Sequence, residues 1–83
     1  MRNIGEERRR LWNALNEYIR QQSDAAVTTL PNRWPLRVEV TRDSSLPIKF
    51  QELGYAVFHA GQTMRVTGNG IQQVDVLELG LPR

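Results

Sequence analysis

The sequence predicts a two-layer α+β domain. It consists of a mixed sheet of about four strands with an N-terminal helix and a short second helix packed on one face. Three observations lead there. Apolar residues recur at helical spacing from Ile4 to Ile19. The stretch "LRVEVTRD", residues 36–43, alternates apolar and polar. The last third of the chain is a series of short apolar runs separated by glycine.

The first helix is expected over about 4–22. Asn3 followed by Glu6 has the spacing of a capping box, and Glu6 and Glu7 fall in the first turn, where the helix dipole favours negative charge. Ile4, Leu11, Leu15, Tyr18 and Ile19 form the apolar stripe, with Trp12 at its margin. Residues 23–35 are a connector, because Pro31 and Pro35 prevent regular structure through "LPNRWP". Within it, Val27 to Leu30 could pair briefly as an edge strand.

A half-buried strand follows over about 36–42, with Leu36, Val38 and Val40 on its inner face. A short helix is expected over about 45–53, capped by Ser44 or Ser45 and presenting Leu46, Phe50 and Leu53. Gly54 suits the left-handed position that ends it, and Tyr55 the accompanying apolar contact. Three strands complete the order α-β-α-β-β-β: about 55–60, 62–67 and 71–79. Turns are read at Ala60-Gly61 and at "GNG", where Asn69-Gly70 suits positive φ. In the last strand Val74 and Val76 have one parity, while Leu77, Leu79 and Leu81 have the other. Either a bulge intervenes or both faces are covered.

At 83 residues the chain holds one small domain, 1–83, whose core is marginal for its size. There is no cysteine and a single histidine, so neither disulfides nor a thiolate-bound zinc site can supplement it, and no metal or cofactor is expected. Self-association is the remaining route to extra burial. The N-terminus "MRNIGEERRRLW" has no apolar signal core, and no run approaches the ~20 apolar residues of a membrane span. The expected location is cytoplasmic. The formal net charge is only +2, a weak basic bias for a dedicated nucleic-acid binder.

Arg8, Arg9 and Arg10 are consecutive, so on a helix they fan over roughly 200° and cannot converge on one ligand. Arg10 follows Glu6 by four residues, the favourable order for an ion pair. Arg8 is aligned with the apolar stripe, where its stem can cover the core edge and its head can stack on an indole. A solvated face therefore accounts for all three. The alternative is a nucleic-acid surface joining Arg8, Arg9 and Arg20 to Arg33, Trp34 and Arg37, with Trp34 as a stacking platform rather than a core residue.

No catalytic set is evident. His59 has no nucleophile at a recognisable spacing, and Asp75 and Glu78 have opposite strand parity. "TGNGI" is glycine-rich but lies between strands and lacks the lysine of a phosphate loop. "ELGYAVFHAGQTMRV", residues 52–66, resembles the aromatic strand of the small HicA-type toxin ribonucleases. That family continues into Gly-Ser-His, whereas this chain reads Gly61-Gln62-Thr63-Met64, without the histidine. No site residue carries over from it. The expectation is a small non-enzymatic protein-interaction module whose partner is a second copy or another protein. It has no membrane or small-molecule partner, and nucleic-acid binding is the alternative.

Overall fold

The sheet is ordered by its last strand. A computed structural model, describing residues 3–29 and 33–82, contains α1 (Ile4–Gln21), β1 (Ala25–Val27), β2 (Leu36–Val40), α2 (Leu46–Glu52), β3 (Ala56–Thr67) and β4 (Gly70–Gly80). The strands lie in the order β1-β2-β4-β3, so β4 occupies the interior beside both β2 and β3. The predicted α+β class and the succession of helix, strand, short helix and strands are present.

Three features of the sheet differ from the sequence reading. Every neighbouring pair is antiparallel, where a mixed sheet was expected. β2 and β3 do run parallel, as a strand–helix–strand crossover requires, but β4 is inserted between them. The expected strands 55–60 and 62–67 are one strand. Ala60-Gly61 is not a turn but a bulge, where the register steps from His59↔Leu77 to Gly61↔Val76. Gly61 has φ +128°, a backbone setting that serves a turn and a bulge equally. In the connector, Ala25–Val27 pairs with β2, slightly before the predicted edge strand, of which Leu30 lies outside the described residues.

α1 begins as predicted, with the Asn3 side chain accepting from the Glu6 backbone N–H at 3.0 Å. The reciprocal half of the capping box is replaced. The Glu6 carboxylate accepts from Arg10 Nη2 at 2.9 Å, the expected i,i+4 pair. Leu11, Leu15 and Tyr18 are buried, with Trp12 and Ile19 packed at the margin. Ile4, expected in the stripe, is exposed because the helix begins beyond the end of the core.

α2 shows how a few residues close a short helix. The Ser44 hydroxyl accepts from the Leu46 N–H at 3.1 Å, although Ser45 occupies the cap position. At the other end Gly54 takes φ +94°, its N–H donates to Gln51 O, and the Tyr55 N–H donates to Phe50 O. This is the paired closure of a left-handed cap. The Phe50 and Tyr55 rings, 6.0 Å apart, supply its apolar contact. Leu46 and Phe50 are buried, but Leu53, expected beside them, follows the last helical turn and is exposed.

The core forms between one sheet face and both helices. Leu36, Val38 and Val40 of β2, Leu77 and Leu79 of β4, and Ala25 of β1 meet Leu11, Leu15, Tyr18, Leu46 and Phe50. Tyr18 ties the layers together. Its ring meets Phe50 edge-on at 6.1 Å, and its hydroxyl lies 3.1 Å from Asp24 Oδ2, 3.3 Å from Ser44 Oγ and 3.1 Å from Ser45 Oγ. One phenol thus holds α1 to the segments that open β1 and α2. Tyr18→Phe keeps the ring and strands those polar partners, so urea unfolding should show a loss of about 1–3 kcal/mol. Phe50→Ala, which empties the centre of the core, should lose about 3–5 kcal/mol in the same experiment.

Candidate functional site

The six residues of the predicted nucleic-acid surface do not assemble into one surface. Arg8 and Trp34 meet, with the guanidinium carbon 5.2 Å from the indole centroid and over the ring. Arg8, Trp34 and Pro35 border a shallow groove of about 440 Å³ with Ile4, Leu81 and Pro82. Arg9 joins Arg8, Trp12 and Trp34 around an adjoining depression of about 280 Å³. Among the described residues neither Arg8 nor Arg9 has an ion-pair partner. Trp34 is half-buried and packs against the core, joined to Pro35 by a cis peptide bond.

The other three stand apart. Arg20 lies about 16 Å further along α1 than Arg9. Its guanidinium is bonded to Glu17, and that hydrogen bond, followed by the positive charge, holds the Glu17 carboxyl below its ordinary range. Arg37 projects from β2 away from the core, 3.8 Å from Glu78 on the neighbouring strand. Arg33 is exposed beside Trp34. What remains of the surface is Arg8, Arg9 and Trp34, with Arg33 nearby.

His59 and Asp75 come together, which the sequence reading missed. His59 Nε2 is 3.6 Å from Asp75 Oδ1. The same carboxylate oxygen accepts from Gln62 Nε2 at 3.2 Å, and Gln62 Oε1 accepts from Gln73 Nε2 at 2.7 Å. The signal that hides this cluster is the bulge. Ala60 is an extra residue, so His59 and Gln62 emerge on the same sheet face despite their opposite parity. Glu78 projects from the other face, as its parity predicts. Among the described residues no cluster of three or more His, Asp or Glu side chains could hold a metal ion.

The least conventional surface lies beyond that cluster. β2 stops pairing with β4 at Val40↔Asp75, yet β4 and β3 continue together to Thr67↔Gly70. The far part of this hairpin is therefore a two-stranded arm with neither edge covered among the described residues. Every residue from Met64 to Gln73 is exposed, including Met64 at 65 %, Val66 at 84 % and Ile71 at 71 %. The arm closes through Gly68-Asn69. The Thr67 hydroxyl accepts from the Asn69 N–H and donates to the Gly70 carbonyl. Gly70 has φ +119°, while Asn69, expected to share that conformation, does not.

The described helices include none long and apolar enough to cross a membrane. No family model matches the chain, and comparison with curated proteins and with solved structures returns no match.

The Arg8–Trp34 contact is measurable as structure. Arg8→Ala, Trp34→Ala and the double variant, compared by denaturant unfolding, should give a coupling energy of about 0.5–1 kcal/mol. A coupling indistinguishable from zero would mean that the stack contributes nothing.

Proposed function

We propose that this protein is a small non-enzymatic interaction module that acts by self-association through the β3–β4 arm. The observation that carries this reading is the arm itself. It holds Met64, Val66 and Ile71 in water and leaves both strand edges without partners among the described residues. A two-stranded hairpin without a third strand or a covered face is marginal in water, and an open edge is a template for another chain.

The apolar residues of both parities in β4 need no second copy to cover them. Val74, Leu77 and Leu79 are all buried within the single chain. The uncovered apolar surface is further out, and its composition favours a neutral partner. Between Gln62 and Gln73 the only charged side chain is Arg65. A second copy fits that description and needs no further component.

The nucleic-acid reading is second. It is supported by two guanidiniums that have no carboxylate partner among the described residues, flanking two indoles. It is weakened by the separation of Arg20 and Arg37, each beside its own glutamate. Salt-dependent binding of single-stranded RNA or DNA that falls with Arg9→Glu and Arg33→Glu would favour it over self-association.

Sedimentation velocity over a concentration series tests the first reading. The expected mass is near twice 9.6 kDa. Met64→Glu with Val66→Glu should return the protein to the monomer with an unchanged far-ultraviolet circular dichroism spectrum. A wild-type protein that stays monomeric and folded at high concentration contradicts it.

A further inference from the structure

The sheet has two edges, and they are not equivalent. β1 presents only Ala25–Val27, short enough to offer little backbone to a stranger. β3 presents Ala56–Thr67 and has no partner on its outer side among the described residues. The run from Gly61 to Thr67 contains no proline and no lysine, and Arg65 is its only charged residue.

We infer that two copies pair antiparallel along this outer edge of β3, about a two-fold axis at Met64, joining two four-stranded sheets into one of eight strands. The inference rests on the self-association reading and adds which backbone edge carries it and in what register.

The register follows from three constraints. The first is continuity. The bulge at Ala60 interrupts regular pairing at one end, and the Gly68-Asn69 turn ends the strand at the other. The uninterrupted run is Gly61–Thr67, and its middle residue is Met64. A two-fold axis there pairs the whole run with itself, Gly61 against Thr67 and Gln62 against Val66. Centring on Thr63 leaves Val66 and Thr67 of each copy without partners inside that run.

The second constraint is charge. Centring on Arg65 sets two guanidiniums directly opposite one another, which destabilises a cross-strand pair. With Met64 at the centre, each Arg65 faces Thr63 of the other copy.

The third is the apolar pattern. Gln62, Met64 and Val66 share the face that carries Asp75, Gln73 and Ile71, because directly opposed residues project to the same side. Pairing at Met64 sets the two methionines side by side. Val66 and Ile71 of each copy then extend the line outward, one toward each end of the joint. The result is a closed, isologous interface that uses the same surface twice and covers the Gly61–Thr67 edge of both copies.

The absence of cysteine makes the register directly readable. Directly opposed residues have Cβ atoms about 4.5–5.5 Å apart, near the span of a disulfide. Residues displaced by four positions are about 13 Å apart. Under mild oxidation with copper–phenanthroline, M64C should form a covalent homodimer in high yield, and V66C alone should not. An equimolar mixture of Q62C and V66C should give the mixed dimer in preference to either homodimer.

If the wild type sediments as a dimer but M64C stays reduced, or V66C links to itself as readily, the edge pairing is overturned while self-association survives. If the wild type is a monomer and no variant cross-links, both fall. Cross-linking of M64C, with the Q62C–V66C pair behaving as stated, upholds both.

Discussion

A strand can bond with a neighbour only as far as that neighbour reaches, and β2 is much shorter than β4. Backbone N–H and C=O groups must be satisfied by chain or by water. Over Asp75–Leu79 the groups of β4 are flanked by β2 and β3; from Gly70 to Val74 they have β3 alone among the described residues. That mismatch divides the molecule in two. One part is a two-layer domain in which helices, turn residues and a single phenol cooperate around one core. The other is a projecting ribbon with few apolar contacts of its own. The overall dimensions, 48 × 22 × 21 Å, reflect the projection.

The boundary between the parts is a built junction. The Ala60-Gly61 bulge lies opposite Leu77 and Val76, just before β2 makes its last pair at Asp75, and the His59–Asp75–Gln62–Gln73 chain of contacts spans the two strands there. Bulges sharpen local twist and re-aim side chains. This one turns the even-numbered residues of β3 onto the core-side face, so that Gln62 meets Asp75 and Met64 and Val66 continue along the line of β4's inner residues. Without it Phe58 and Met64 would share a face. With it, the exposed methionine and valine become neighbours of Ile71.

Much of the core was legible because its determinants are local. The helical period of Leu11, Leu15 and Tyr18, the alternation of Leu36, Val38 and Val40, and the Gly54-Tyr55 closure of α2 each depend on a few adjacent residues. Ile4 and Leu53 were misread because periodicity cannot say where the partner surface ends. The bulge was misread because a glycine at positive φ serves a reversal and an extra residue alike, and only the register with β4 distinguishes them. That one ambiguity hid the length of β3, the His59–Asp75 contact and the arm. The candidate arginine surface is only partly assembled, for a related reason. Arg8, Arg9 and Trp34 are brought together by tertiary packing, while Arg20 and Arg37 find glutamates that sequence spacing alone did not single out as their partners.

The central claim is that the outer edge of β3 is a pairing surface rather than a solvated border. Amide hydrogen exchange, followed residue by residue as a function of protein concentration, addresses it most directly. The account predicts that the alternate β3 amides between Gly61 and Thr67 that face away from β4 gain protection as concentration rises, while core amides of β2 do not change. Exchange along that run that is fast and independent of concentration would contradict it.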